Sequence, residues 1–147
     1  MSLLPVAEAL EKILAAIPEP VAMEEVPIAQ GAGRTLAADL TALRTQPPFP
    51  ASAMDGYAVR SADLATVPVR LRLIGTSAAG HGFSGTLQAG EAVRIFTGAP
   101  VPEGADAILI QENAATEGET VTAREPVAAG RFLRRAGLDF REGETLV

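Results

Sequence analysis

Asp55 is the side chain in this sequence best placed to do chemistry. It lies within Pro47-Pro48-Phe49-Pro50-Ala51-Ser52-Ala53-Met54-Asp55-Gly56-Tyr57-Ala58-Val59-Arg60, where three prolines in four positions precede a run of small residues. Each proline fixes its own φ and pushes its predecessor out of the helical region, so the approach to Asp55 is expected to be stiff and extended. Tyr57-Ala58-Val59 reads as the start of a strand. One carboxylate at the mouth of a strand can hold a hard cation such as Mg²⁺ or position water near a phosphate. It can equally bond its own backbone, as aspartate does in many Asp-Gly turns.

A second group follows the predicted strand Val93-Arg94-Ile95-Phe96, where the Thr97 hydroxyl and a free backbone N–H at Thr97-Gly98 could face an anion. The bland alternative is a strand-end threonine before a turn. Arg134 and Arg135 are adjacent and so point to opposite faces of a strand. A guanidinium fork suits a phosphate or oxyanion, and it suits a salt bridge to Asp139 or Glu142 equally well. Asp139 is a second candidate acid, while Asp106 and Glu112 could belong to the site or could equally be turn and strand-edge charges. Arg34 reads as a solvated turn residue. His81, the only histidine, has no partners for a metal site or a Ser-His-Asp group and reads as a surface residue. No Gly-x-x-x-x-Gly-Lys phosphate loop is present.

The elements that must position these groups are mostly short strands. Pro5 to Ile17 is the exception. Val6, Leu10, Ile13, Leu14 and Ile17 form one helical stripe, Ser2 or Pro5 can start the helix, and Pro18 with Pro20 stops it. Glu8 and Lys12, four apart, add a surface pair. Glu24–Ala29 and Thr35–Leu40 read as short strands around a turn at Gly31–Arg34. Further strands are expected at Gly56–Arg60, Val69–Ile74 (ended by Gly75), Glu91–Phe96, Ala107–Ile110 and Thr120–Arg124, with a capped turn at Ser61–Leu64. Glu117-Gly118-Glu119 reads as a hairpin turn, and the glycine-rich Thr76–Gly90 as a mobile loop or hairpin end anchored by Phe83 and Leu87. Strand and helix do not alternate, which argues against a parallel doubly wound sheet.

Three segments together resemble a known family. Ser52-Ala53-Met54-Asp55-Gly56-Tyr57-Ala58, Thr97-Gly98-Ala99-Pro100-Val101-Pro102-Glu103-Gly104-Ala105-Asp106 and Leu133-Arg134-Arg135-Ala136-Gly137-Leu138-Asp139 are similar to signatures of the molybdopterin molybdenumtransferases, bacterial relatives of the gephyrin E domain. They stand in the family's order and spacing. The third departs most from the family pattern, through Ala136 and Leu138.

The resemblance implies a mainly β fold with some α, in which a complex β domain is inserted into a small α/β element that begins with the amphipathic helix. Residues 1–46 plus 140–147 would form the small, incomplete α/β domain and residues 47–139 the inserted β domain. The pterin-binding and C-terminal domains of the family would be absent from this chain. The implied activity is insertion of molybdate into adenylylated molybdopterin with release of AMP, assisted by Mg²⁺. Asp55 and Thr97 would be catalytic, with Asp55 also the metal ligand, and Ser52, Gly98, Arg134, Arg135 and Asp139 would bind substrate. The site would be shared across a homodimer, so this chain would supply one wall and be inactive alone. Other molybdenum cofactor biosynthesis proteins are the implied partners. The alternative is a non-catalytic assembly or scaffolding module like the gephyrin E domain.

Composition is consistent with these expectations and excludes others. The 147 residues are 48% apolar with one Tyr, five Phe and no Trp, so the core must be mostly aliphatic. A formal net charge of −6 argues against a nucleic-acid or anionic-membrane surface. With no cysteine there is neither a disulfide framework nor a thiolate metal site, as suits a cytoplasmic protein. Apolar runs fall far short of the roughly 20 residues that span a bilayer, and the first residues lack the basic region of a signal peptide.

Overall fold

The computed structural model describes residues 4–17 and 21–147. The chain divides into two compact units, Met1–Asp39 and Leu40–Val147.

Among its described residues the first unit contains one α-helix, α1 (Val6–Ala15), capped by Pro5 at φ −58°. Proline suits that position because its missing N–H would have had no helical acceptor. Ser2, Pro18 and Pro20 lie outside the described residues. The Glu8–Lys12 pair forms at 2.8 Å on the wet face. The apolar stripe also forms, yet Val6, Leu10, Ile13, Leu14 and Ile17 are all exposed and no residue of α1 is buried.

Neither strand expected in this unit is present among the described residues. Glu24–Pro27 has no ladder, and a 3-10 turn occupies Ile28–Gln30. Pro27 is the physical reason: it has no N–H for a ladder, and its φ of −55° starts the turn. Thr35–Asp39 likewise makes no ladder; of that expected strand only Leu40 pairs, its N–H donating to Val147 O at 3.0 Å and its carbonyl accepting from Leu146 N–H at 2.8 Å. Arg34 is not simply solvated. Its guanidinium bonds the Gln30 carbonyl at 3.1 Å and pairs with Glu24, closing the turn between them.

The second unit is built on a six-stranded sheet ordered β5-β2-β4-β3-β7-β6. The strands are β2 (Gly56–Val59), β3 (Val69–Ser77), β4 (Glu91–Ile95), β5 (Ala107–Ile110), β6 (Ala114–Glu117) and β7 (Thr120–Ala123). All neighbours are antiparallel except β3 and β4. Both faces of the sheet are covered. Tyr57, Val59, Leu71, Leu109 and Val121 pack on one side, and Ala58, Val93, Ile95 and Ile108 on the other. Double coverage explains why β5 is continuously apolar rather than alternating. Each fully buried Val, Leu or Ile side chain contributes about 1.5–3 kcal/mol.

Gly75 does not end its strand. β3 runs on to Ser77: Val69–Arg72 pair antiparallel with β7 along one edge, while Arg72–Ser77 pair parallel with β4 along the other, with a register shift in that parallel ladder between Leu73 and Gly75. A glycine inside a strand commonly marks such a bulge, and here a Cβ on Gly75 would lie 2.5 Å from the Phe83 ring. Phe83 and the buried Leu87 do anchor the glycine-rich stretch. Gly118-Glu119 turns β6 into β7, as expected from the sequence.

Two short ladders complete the unit. Leu40–Gln46 runs antiparallel to Phe140–Val147, through bonds such as Ala42 N–H to Glu144 O at 2.8 Å and Gln46 N–H to Phe140 O at 2.9 Å. β1 (Ala51–Ser52) pairs with β8 (Leu133–Arg134). The mainly β expectation with one N-terminal helix therefore holds. Between the two ladders the proline stretch bends at Pro47–Phe49 instead of running straight. Proline cannot donate but its carbonyl accepts, and Gly137 N–H to Pro47 O and Val101 N–H to Pro50 O, both 2.9 Å, set its path from outside.

Candidate functional site

Asp55 ends the small-residue loop just before β2, and Thr97 stands just beyond β4. β2 and β4 are paired antiparallel, so the end of one strand meets the beginning of the other. Asp55 Oδ1 accepts two hydrogen bonds from Thr97, one from its backbone N–H and one from its hydroxyl, each 2.8 Å long. The carboxylate thus reaches a loop 42 residues away rather than bonding within its own turn. Gly56 is required here for space. A Cβ on it would sit 2.1 Å from the Leu109 carbonyl oxygen, because β2 is flanked closely by β5.

The two Thr97 bonds, the larger one from the backbone N–H, hold the Asp55 carboxyl below the usual carboxylate range, against a smaller opposing effect of desolvation. Arg94 adds a weaker pull in the same direction. Asp55 is therefore anionic at neutral pH. A carboxylate whose proton affinity is lowered makes a poor general base, so the chemistry open to it is electrostatic.

The loops are stitched together by their backbones. Ser52 N–H donates to Ala99 O at 3.0 Å, and Gly98 N–H donates to Ser52 O at 2.8 Å. This corrects the expectation of a free N–H facing an anion: the Thr97 amide is bound to Asp55 and the Gly98 amide to Ser52. Gly98 instead supplies a left-handed turn at φ +81°, a conformation that costs glycine little. Ser52 is fully buried, and its hydroxyl donates to Met54 O at 2.6 Å, so it shapes the loop from within.

The third signature lies beside the first because β8 pairs with β1, matching Arg134 to Ala51. Asp139 N–H to Gln46 O at 3.0 Å extends the contact. Arg134 Nη2 bonds both Asp139 oxygens, at 2.7 and 2.6 Å, in a half-exposed ion pair. Arg135 is exposed. Among the described residues, no hydrogen bond joins this pair to Asp55 and Thr97, so the predicted residues form two adjoining clusters rather than one.

The remaining charges are structural or peripheral. Asp106 caps the 3-10 turn Ser61–Leu64, accepting from Ser61 N–H at 2.6 Å and Ser61 Oγ at 2.7 Å. Glu112 and His81 are exposed, and the backbone of His81 closes a small turn with Ala78. No group of three or more His, Cys, Asp or Glu among the described residues could hold a metal. One carboxylate is still compatible with Mg²⁺, which commonly takes one or two carboxylates and completes its shell with water and substrate phosphate.

Arg94 was not singled out as functional by sequence reasoning. Its guanidinium donates from Nη1 to Gly56 O at 3.0 Å and from Nη2 to Gln111 Oε1 at 2.8 Å. The same group lies 5.1 Å from the Tyr57 ring centre and 4.8 Å from that of Phe96. The signal available was alternation: with Val93 and Ile95 facing one core, Arg94 had to point to the other side, beside Tyr57 of the neighbouring strand.

The second unit is a mainly β domain that joins an Asp-Gly loop to a Thr-Gly loop, with an Arg–Asp pair alongside, and comparison with known proteins shows its family. Residues 4–147 match the family described as MoeA N-terminal region (domain I and II), and the chain belongs to that family. It is 40% identical over 147 residues to a molybdopterin molybdenumtransferase of Synechococcus elongatus, covering 95% of this chain and 36% of the relative. It is 37% identical over 141 residues to the same enzyme of Haemophilus influenzae, covering 95% and 35%. A crystal structure of the molybdopterin biosynthesis moeA protein of Pyrococcus horikoshii superposes with a TM-score of 0.83 at 34% identity, covering 99% of this chain and 40% of that one. The chain thus spans little more than a third of the length of these two curated relatives.

Proposed function

We propose that this chain contributes one wall of a molybdopterin molybdenumtransferase site, acting in molybdenum cofactor biosynthesis. The observation that carries this reading is the pair of hydrogen bonds from Thr97 to Asp55, which fixes an anionic carboxylate between two of the family's signature loops. Molybdate and adenylylated molybdopterin are the substrates, and AMP leaves when the adenylyl phosphate bond is cleaved. Both reactants are anionic, so a cation must offset their charge. Asp55 would hold Mg²⁺ through Oδ2, which accepts no hydrogen bond among the described residues. The ion would supply Lewis-acid polarisation of a phosphoryl oxygen. Thr97 orients Asp55, and Arg134 would serve an oxyanion once Asp139 releases it.

The exposed stripe on α1 supports assembly into a homodimer, with the site completed by the mate. The same stripe also supports a scaffolding role without catalysis. The two readings separate on one experiment: this chain is mixed with a full-length family member whose equivalent aspartate is Asn, and cofactor formation is measured. Activity regained with the natural chain and lost with Asp55→Asn or Thr97→Ala is the expected result. Activity regained equally by all three removes the site assignment, and leaves the scaffold.

A further inference from the structure

We infer that Arg94, acting with Gln111, is the positioning residue of the Asp55–Thr97 pair, bracing both loops from behind through a single guanidinium. The inference rests on the reading of Asp55 as the working carboxylate.

Arg94 makes no hydrogen bond to that carboxylate, yet it reaches both sides of it. On the Asp55 side, Nη1 holds the carbonyl of Gly56, the next residue, while Gln111 N–H donates to the carbonyl of Asp55 itself at 3.2 Å. Nη2 ties the Gln111 side chain into the same group at 2.8 Å. On the Thr97 side, the guanidinium lies 4.8 Å from the ring of Phe96, the residue immediately before Thr97. Tyr57 faces it at 5.1 Å and is itself buried, with its hydroxyl bonded to Thr116. The contacts close a ring: Asp55 to Thr97, Phe96 to Arg94, Arg94 to Gln111, and Gln111 back to Asp55.

Only arginine fits this position. Its planar fork serves two acceptors while its faces meet aromatic rings, whereas a lysine ammonium is a point charge on a flexible stem. Were bulk positive charge sufficient, Lys would substitute. Were the side chain merely filler, its loss would loosen β4 as a whole rather than the Thr97 bond in particular.

The test is NMR on the 147-residue chain, comparing Arg94→Lys, Arg94→Gln and Gln111→Ala. Two quantities are read: exchange of the Thr97 amide hydrogen, and the scalar coupling across its hydrogen bond to the Asp55 carboxyl carbon. Both Arg94 variants should speed Thr97 exchange about tenfold or more and abolish the coupling, while the Val93 and Ile95 amides keep their protection. Gln111→Ala should give a smaller change in the same direction, and it keeps the question answerable if an Arg94 variant fails to fold. An unchanged Thr97 amide in Arg94→Gln or in Gln111→Ala overturns the brace, as does full restoration by Arg94→Lys. An Asp55→Asn chain that supports full cofactor formation would instead sink the functional reading, and leave the NMR result standing.

Discussion

The segment with the clearest sequence pattern buries nothing, and the segments with the weakest patterns build the core. In Met1–Asp39 the helical stripe of α1 is regular, yet each of its large apolar residues is at least half exposed, from Leu10 at 54% to Val6 at 86%. In Leu40–Val147 the strands are four or five residues long apart from β3 and the two-residue pair, yet Val59, Val93, Ile95 and Ile108 have no exposure at all. Periodicity records which face requires a partner. It does not record whether that partner is in the same unit.

The largest expected effect comes from attacking the second region. Ile95→Ala removes a buried side chain from the sheet and should cost about 2–5 kcal/mol, measured by urea unfolding. Gly56→Ala comes next, because the new methyl meets backbone rather than a movable side chain; a loss of about 1–3 kcal/mol is expected. Both should leave the helicity of α1 unaltered, and a helix that melts with them would break the contrast.

Thr97→Val sharpens it at the site. Losing the hydroxyl removes one of the two bonds that stabilise the carboxylate, so the Asp55 titration midpoint, followed by NMR, should rise toward the ordinary aspartate value of about 3.9. The sign follows from linkage. A folded-state pKa below the unfolded one stabilises the native state above the unfolded value, and that stabilisation disappears as pH falls through the folded value. The natural chain should therefore keep its Asp55–Thr97 link to a lower pH than the Val variant. The smallest effect is expected in the first region: Leu10→Gln on the exposed stripe should change unfolding free energy by no more than about 0.5 kcal/mol.

The two charged pairs repeat the lesson on a smaller scale. Arg134–Asp139 spans five residues and was legible as one of two possible salt bridges. Asp55–Thr97 spans 42, and the sequence placed each residue in a conspicuous loop without indicating that they bond. Arg94 passed unnoticed because an arginine in a short strand reads as a solvated charge until the ring on the neighbouring strand is known. Gly56 was legible as the start of a strand, whereas the close approach of Leu109 that demands a glycine there was not.

By itself the sequence determined the local matters: the helix and its apolar stripe, the β6–β7 turn, most strands of the sheet, and three loops of distinctive composition. These depend on backbone propensity and side-chain period, which act over a few residues. Tertiary structure alone decided that β3 continues through a bulge at Gly75 along its parallel partner β4, that both faces of the sheet are covered, and that Thr97 consumes its amide on Asp55. It also decided that residues 24–29 and 35–39 form no ladder. A strand exists only when another strand accepts its hydrogen bonds, and a carboxylate's proton affinity is lowered by whichever donors the fold brings to it.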